Sequence, residues 1–398
     1  MFSSIRYKMA KKLLLDFAPH LPVGSIQVSF PEGDSYSFTG KEKGVDADLK
    51  IIKKEGLLRI IKDGKMGFCE AYMAGEVGSD TLVNLIEFAV TNNQIVEERL
   101  KMNPISWLFT RIGHILRRNS KSGSRKNISY HYDLGNDFYA MWLDETMTYS
   151  SAVFEEDKQS LKDAQITKYR KLAEMADLQA GDHVLEIGCG WGGFAEFAAS
   201  TYDITLTCIT ISKEQYDFAK ARIEKAGLED RVTIKITDYR DLESQSFDKV
   251  VSIEMFEAVG MSYWPTYFNK VSDVLRKGGR AALQVITIVD HEFESYRTTP
   301  DFIQKYIFPG GMLPSMEKIT PPIEAAGMKL REEKGYGHDY AKTLEAWRLD
   351  FLDKWPEISS TQGFDNKFKR MWELYLAYCE GGFKSGMIDV KQMCLIKE

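Results

Sequence analysis

The stretch HVLEIGCGWGGFAEFAA, residues 183–199, contains the pattern that decides the fold. An apolar run is followed by Gly188, Gly190 and Gly193 and then by helix-forming residues. The sequence therefore predicts a strand, a tight glycine turn and the start of a helix. Glycines in such a turn let the backbone bend sharply and approach a ligand closely.

Strand and helix signals continue to alternate after this turn. Apolar residues spaced three and four apart predict helices between short β-branched runs, notably at 213–226 and 263–275. Such alternation indicates βαβ units, and therefore an α/β, Rossmann-like fold with a doubly wound, mostly parallel sheet. The predicted strands are 183–188, 204–210, 232–238, 248–255 and 280–288.

Glycine spacing alone does not separate NAD-binding proteins from S-adenosylmethionine (SAM) enzymes. Glu186 lies two residues before Gly188, as in the ExGxG form typical of SAM enzymes. The second strand ends in CITISKEQ (208–215), without the acidic residue that holds the ribose of NAD. The third strand ends in TDYRD (237–241), where SAM enzymes commonly contact the adenine. The sequence therefore predicts a SAM-dependent methyltransferase, with an NAD(P) oxidoreductase as the alternative.

Length and composition indicate two domains. The chain has 398 residues, of which 44% are hydrophobic and 28% charged, as in ordinary globular proteins. We expect a smaller α+β N-terminal, lipid-associating domain over 1–118, a basic linker over 119–127 and the methyltransferase domain over 128–398. Within the first domain, residues 24–30 and 57–62 resemble strands, and 80–102 has helical spacing.

Charge is distributed unevenly along the chain. The net charge of −6 argues against nucleic-acid binding, yet residues 101–130 contain seven Lys and Arg and no Asp or Glu. This segment has two interpretations: an amphipathic helix that meets an anionic membrane surface, or a packed helix followed by a solvated linker. Five scattered cysteines fit a reducing cytoplasm, and no apolar run approaches the roughly 20 residues that span a bilayer. Together with the basic segment, these features predict a cytoplasmic protein that associates peripherally with the inner membrane surface.

The residues around the turn resemble the cyclopropane-fatty-acid synthase family, which includes the mycolic acid cyclopropane synthases. The resemblance covers about residues 125–395, and eight motifs occur in the family's order. These motifs are HYDLGNDFYAMWLD (131–144), MTYSS (147–151), LEIGCGWGG (185–193), ISKEQ (211–215), MFEAVG (255–260), FIQKYIFPGGMLPS (302–315), GHDYAKTLEAW (337–347) and MWELYLAYCEGGF (371–383).

The resemblance implies methylation of a cis double bond in an unsaturated fatty acyl chain of a phospholipid. The alkene attacks the SAM methyl and leaves a carbocation on the chain. The aromatic-rich segment 130–154 fits a pocket that surrounds such a cation and excludes water. The residues that match the family's SAM contacts, together with Glu186, are Tyr149, Ser150, Gly188, Gly190, Thr210, Ile211, Gln215, Asp238, Tyr239 and Arg240.

For the base, the resemblance implies a bicarbonate ion held by a Cys, a Glu, a His, a Tyr and a backbone amide. Three positions match, namely Glu257, Tyr340 and the backbone of Ile286. Two positions depart, because the Cys is Ser151 and the His is Gln284. A glutamine can orient an anion but cannot share its proton, so we expect altered basicity in this pocket.

Proton loss decides the product. The first expectation is a cyclopropane acyl chain, and the alternative is a methyl- or methylene-branched chain. A small-molecule N-methyltransferase and a catalytically silent lipid-binding protein are further alternatives. The acyl-tunnel motif at 302–315 argues against the former, and the intact turn with Glu257 and Tyr340 argues against the latter. No residue spacing indicates a metal site, and a homodimer is compatible with the sequence.

Overall fold

The structure, a computed structural model, describes residues 2–95, 134–244 and 246–398. The described chain forms two compact units. The first contains the residues before 96, Thr299–Phe302 and Leu344–Met387. The second contains the residues from 134 to Thr298, Ile303–Thr343 and Ile388–Glu398.

Strands and helices are numbered in chain order over the described residues. The strands are β1 (Val23–Ser29), β2 (Ser35–Thr39), β3 (Glu42–Ile51), β4 (Val77–Gly78), β5 (His183–Ile187), β6 (Thr205–Thr210), β7 (Val232–Ile236), β8 (Phe247–Ile253), β9 (Leu275–Ile288), β10 (Met328–Gly335) and β11 (Ile388–Lys397). The α-helices are α1 (Phe2–Phe17), α2 (Lys54–Met73), α3 (Leu82–Thr91), α4 (Asn136–Ala140), α5 (Leu161–Ala176), α6 (Gly193–Thr201), α7 (Lys213–Lys225), α8 (Trp264–Val274), α9 (Phe293–Thr298), α10 (Met316–Ala325), α11 (Gly337–Gln362) and α12 (Asn366–Lys384).

The second unit contains a seven-stranded sheet, which confirms the predicted doubly wound α/β fold. The order across the sheet is β10-β11-β9-β8-β5-β6-β7. The strands from β9 to β7 in this order run parallel, whereas β11 is antiparallel to both β9 and β10. All five predicted strands are present, although β9 begins five residues earlier than predicted.

Both faces of this sheet are covered by helices. Successive strand residues point to opposite faces, and neighbouring positions such as Val184 and Leu185 belong to two different apolar clusters. The same division separates Val250 from Val251. The uninterrupted apolar strands in the sequence follow from this arrangement, because a parallel sheet is buried on both sides.

The first unit contains a four-stranded sheet in the order β2-β1-β3-β4. Strand β1 confirms the prediction at 24–30, and α3 confirms the start of the helix predicted over 80–102. The strand predicted at 57–62 was wrong, because these residues lie inside α2. Leu57 and Ile60 are both buried and lie three residues apart, so the run follows the period of a helix.

The predicted domain boundaries differ from the observed division. Residues 344–387, placed within the predicted 128–398 domain, group with the first unit, and the division falls inside α11. Sequence order could not show this, because the grouping depends on long-range contacts. The linker at 119–127 and most of the basic segment at 101–130 lie outside the described residues. Among the described helices, none is long and apolar enough to cross a membrane.

The topology places one edge of the large sheet at the centre of the candidate site. Strand β5 has β6 on one side and β8 on the other, and all three strands are parallel, so the order in which the chain adds strands across the sheet reverses at β5. In open parallel sheets, ligands bind at the carboxyl ends of strands beside such a switch point.

Candidate active site

The glycine turn after β5 leaves space for a ligand. Gly188 and Gly190 have φ values of 82° and 52°, in the region that favours glycine. The amides of Gly188 and Cys189 donate to the carbonyl of Ile209 at 2.9 and 3.1 Å, which ties the turn to β6. A Cβ atom on Gly188 would lie 2.7 Å from Met255 Cγ, whereas one on Gly190 would meet nothing within 4 Å. Gly188 therefore allows close packing, and Gly190 faces open space.

The end of β6 places a hydroxyl and an amide side chain together. Thr210 Oγ1 donates to Gln215 Oε1 at 2.9 Å and accepts from the amide of Ser212 at 3.2 Å. Ser212 is the N-cap of α7, where its hydroxyl accepts from the amide of Gln215 at 3.3 Å. Ile211, between these residues, is half-buried. The sequence ISKEQ thus builds this corner through local hydrogen bonds.

The turn after β7 contains a largely buried salt bridge between Asp238 and Arg240. Asp238 Oδ1 accepts from the amide and Nε of Arg240 at 3.0 and 2.8 Å, and its Oδ2 accepts from Nη2 at 2.6 Å. The hydroxyl of Tyr239 is buried without a hydrogen-bond partner among the described residues. Because an unpaired buried hydroxyl is costly, this position suits a polar group of a bound ligand.

Glu186 is a buried carboxyl group just before the glycine turn. It is only 2% exposed, and its Oε2 has no hydrogen-bond partner within the described part of the chain. Burial raises the pKa of Glu186 to about 7. Its ionisation is therefore sensitive to any charge that binds nearby.

The aromatic-rich segment packs against the glycine turn. The Tyr149 ring centroid lies 5.3 Å from that of Tyr139 and 5.6 Å from that of Trp142. Trp191, in the turn, lies 5.2 Å from Tyr139, and its Nε1 donates to Asn136 Oδ1 at 2.7 Å. The crowded rings therefore form a buried wall beside the turn.

The two serines that follow Tyr149 have different partners. Ser150 Oγ accepts a hydrogen bond from Lys168 Nζ at 2.7 Å. Ser151 Oγ donates to the carbonyl of Ala152 at 2.9 Å, so its hydroxyl is held locally. Ser151 reaches the site through its backbone amide instead.

The Ser151 amide is one of three hydrogen-bond donors to Glu254, a residue that the sequence analysis did not include in the site. Glu254 Oε1 accepts from the Ser151 amide and from Gln284 Nε2, both at 2.8 Å. Glu254 Oε2 accepts from the Tyr340 hydroxyl at 2.7 Å. The three groups expected to hold an anion therefore hold this carboxylate. Burial raises the pKa of Glu254, while these hydrogen bonds lower it.

Glu257, the glutamate predicted for this cluster, has a different partner. Its Oε1 accepts from the amide of Ile286 at 2.5 Å, so the structure brings two predicted positions together. Its Oε2 is buried without a hydrogen-bond partner among the described residues. Burial, and then the charge of Glu254, raise the pKa of Glu257 to about 8. This environment favours the protonated form of Glu257, which cannot accept a further proton.

A second glutamine orients Gln284. Gln392 Nε2 donates to Gln284 Oε1 at 3.0 Å, and both residues are 1% exposed. With its oxygen occupied, Gln284 points its Nε2 at Glu254 and at the carbonyl of Ser151, the latter at 3.2 Å. This pair fixes the side-chain amide as a donor to the carboxylate.

One signal for Glu254 was present in the sequence, and a second is visible only in the structure. It follows directly after β8, a central parallel strand, where the carboxyl edge carries functional groups. Its φ of 48° is unusual for a non-glycine residue. Such local strain is characteristic of functional positions.

The parallel sheet, the open turn and the polar groups along its carboxyl edge define a Rossmann-like, SAM-dependent methyltransferase. The chain belongs to the mycolic acid cyclopropane synthetase family, whose family model matches residues 119–393. The open space at Gly190 and the unpaired Tyr239 hydroxyl are compatible with bound SAM.

Individual relatives carry different names. The chain is 39% identical to the tuberculostearic acid methyltransferase UfaA1 of Mycobacterium tuberculosis, over 98% of this chain and 91% of that protein. It is 36% identical to the cyclopropane-fatty-acyl-phospholipid synthase of Escherichia coli K12, over 87% of each chain. The solved structure of the mycolic acid cyclopropane synthase CmaA1 with SAH and CTAB has a TM-score of 0.64 and 29% identity, over 69% of this chain and 98% of that chain.

Proposed function

We propose that this enzyme transfers the SAM methyl group to the double bond of an unsaturated fatty acyl chain and releases an open, methyl- or methylene-branched product. The observation that carries the proposal is the position of Glu254, which receives hydrogen bonds from Ser151, Gln284 and Tyr340. The name of the M. tuberculosis relative, a methyltransferase that aligns with nearly the whole chain, supports the same product class.

The carboxyl edge of the sheet would hold SAM. Gly190 leaves open space for close approach of SAM, while Gly188 lets the turn pack against Met255. The corner formed by Thr210 and Gln215 lies at the end of the adjacent strand. Asp238 and the unpaired Tyr239 hydroxyl provide polar groups at the end of the next strand. The wall that contains Tyr149 closes the site beside the turn.

The chemistry requires a protected cation. The alkene electrons form a carbon–carbon bond to the methyl group while the carbon–sulfur bond breaks, and the sulfonium becomes a neutral thioether. The positive charge moves to the neighbouring chain carbon. The rings of Tyr139, Trp142 and Tyr149 suit this step, because aromatic faces attract cations and the packed wall excludes water.

Glu254 would accept the proton that ends the reaction. A carboxylate offers about four acceptor positions. Three are taken by the Ser151 amide, Gln284 and Tyr340, which leaves one for a proton. A raised pKa strengthens a carboxylate as a base, and its buried position keeps water from competing.

The tethered carboxylate also bears on the product. The bicarbonate expected from the family resemblance would need the same donors that Glu254 occupies. If the methyl proton is lost at once, the ring closes. If a hydride first moves from the methylated carbon to the cationic carbon, loss of the methyl proton leaves a methylene branch. Proton loss from the chain instead leaves a methyl-branched alkene. In our proposal the base is a side chain of the protein, Glu254 at the end of β8, and not a bound ion. We propose that this base favours the methyl- or methylene-branched products over ring closure.

The test is lipid mass spectrometry on cells that lack cyclopropane and branched lipids, express this protein and receive CD3-labelled methionine. Fragmentation that locates double bonds distinguishes the products. An acyl chain that carries a CD3 branch, or a C=CD2 methylene branch, supports the proposal. A chain carrying CD2 with no double bond is a cyclopropane and overturns the proposed product. That outcome would agree with the name of the E. coli relative.

The proposed methyl acceptor is an unsaturated acyl chain of a phospholipid. The name of the E. coli relative, a cyclopropane-fatty-acyl-phospholipid synthase, supports this acceptor. The motif at 302–315, interpreted as an acyl tunnel, supports it as well. Peripheral contact with an anionic membrane through the basic segment 101–130 stays a prediction. Co-sedimentation with anionic liposomes, compared between the wild type and a variant lacking the charges of Arg117 and Arg118, checks it. Equal binding by both proteins would contradict the lipid interpretation of this segment.

A further inference from the structure

Lys168 is a fully buried lysine that contacts Ser150 of the site but has no part in the proposed reaction. It lies on α5 and is 0% exposed. Its Nζ donates to Ser150 Oγ at 2.7 Å and lies 4.6 Å from the ring centroid of Tyr169. Lysine is seldom buried without a charged partner, because removing an ammonium ion from water is costly. Its position therefore calls for a compensating negative charge.

The backbone links Lys168 to Glu254. Lys168 holds the side chain of Ser150, and Glu254 holds the amide of the next residue, Ser151. Lys168 and Glu254, which have opposite charges, thus form hydrogen bonds with adjacent residues of one segment. Among the charged groups that face Lys168, Glu254 has the strongest electrostatic influence, and the others are Asp144 and Glu186. On its other sides, Glu254 faces Tyr340 and Glu257.

The charges offset one another in a buried setting. Burial lowers the pKa of Lys168 and raises the pKa of Glu254. Each charge counteracts the effect of burial on the other. Glu257 cannot supply this compensation, because it is a second acid.

We propose that Lys168 is a positioning residue that keeps Glu254 ionised between turnovers by acting as its buried counter-charge across the Ser150–Ser151 segment. The inference rests on the proposed function in one respect, namely that Glu254 is the base. The side chain does not contact the acyl chain in this role. It sets the pH range in which the base is ready to accept a proton.

The test compares three variants of the full-length protein. Lys168→Met removes the charge with little change in length. Ser150→Ala removes the hydrogen bond but keeps the ammonium ion. The double variant K168M/E254Q removes both charges. Methyl transfer to vesicles of unsaturated phospholipid is measured as kcat and KM across pH, and stability is measured by chemical denaturation.

Without its counter-charge, Glu254 should ionise at higher pH. We expect the acid limb of the kcat profile of K168M to move upward by about one pH unit or more, with about a tenfold lower kcat near neutral pH and recovery at higher pH. S150A should lower activity without moving this limb. K168M/E254Q should be more stable than K168M, because no uncompensated acid remains. An unchanged acid limb in K168M, or an equal shift in S150A, would overturn the inference.

Infrared spectroscopy separates failure of this inference from failure of the proposed function. The carboxylic-acid band of Glu254 is assigned by its loss in E254Q. In K168M, this band should persist to higher pH than in the wild type, whether or not the protein methylates the chosen lipid. Identical titration of the band in both proteins would show that Lys168 does not control Glu254. A shifted band in K168M, without acyl methylation by the wild type, would instead support the Lys168–Glu254 charge pair and contradict the proposed reaction.

Discussion

The two halves of the candidate site are built differently. The cofactor half consists of short local motifs, such as Gly188 with Gly190 and Thr210 with Gln215. The proposed proton-accepting half, around Glu254, joins residues that are far apart in sequence. Glu254 contacts Ser151, Gln284 and Tyr340 at separations of 103, 30 and 86 residues. A local motif specifies its own geometry, whereas a distributed cluster depends on the completed fold.

The largest expected effect separates two glutamates that are only three residues apart. Glu254→Gln keeps the size of the side chain but removes the base, so kcat should fall by about 10³-fold. Glu257→Gln mimics the protonated acid and still accepts from the Ile286 amide, so its loss should stay below about tenfold. Methyl transfer from radiolabelled SAM to unsaturated phospholipid vesicles measures both. Equal losses in the two variants would erase the distinction between these glutamates.

A substitution in the cofactor half should lower the affinity of the enzyme for SAM. Gly190→Val forces a β-branched residue into a left-handed conformation and fills the open space, so the Kd for SAM should rise about tenfold or more. Isothermal titration measures it. Gly181→Val is the matched control, because Gly181 also has a positive φ and open space but lies before β5. Its stability should fall while its SAM affinity stays unchanged. Equal loss of affinity in both would mean that strain alone explains the effect.

Tyr340 should have a smaller effect, directed at the base. Its hydroxyl lowers the pKa of Glu254, so Tyr340→Phe should move the acid limb of the kcat profile to higher pH. At neutral pH, kcat should fall about tenfold, in line with the loss of a hydrogen bond to a charged group. Tyr336→Phe, one turn earlier, is the control and should retain the wild-type profile. A Y340F profile that loses activity equally at every pH would count against this role.

The smallest expected effect is on stability. Burial and the charge of Glu254 raise the pKa of Glu257 from 4.5 to about 8, so the native state binds more protons than the unfolded state within this range. The contribution of Glu257 to the free energy of unfolding is therefore present below about pH 4.5 and declines as pH rises to about 8. In E257Q, this part of the decline should be absent. Chemical denaturation at several pH values measures the difference, and parallel curves for the two proteins would contradict it.

The sequence predicted the large sheet because its strands are apolar and its turns carry glycine. It could not predict that residues 344–387 group with the first unit, since that grouping depends on long-range contacts. In the site, the glycine turn and its polar neighbours were accessible to pattern reasoning. The sequence-based anion site included Ser151, Gln284 and Tyr340 but not Glu254, the carboxylate that accepts hydrogen bonds from all three. Strand β8 ends immediately before Glu254, so a shift of three residues along the chain separates that interpretation from the observed contacts.

The most direct measurement asks whether bicarbonate is needed. Wild type and Glu254→Gly are assayed in buffer freed of carbon dioxide, with and without added bicarbonate. Glycine suits the positive φ at this position, so E254G removes the carboxylate without backbone strain. The account predicts that the wild type is equally active with and without bicarbonate, and that bicarbonate partly restores E254G. A wild-type enzyme that loses activity in bicarbonate-free buffer would show that Glu254 does not replace the ion.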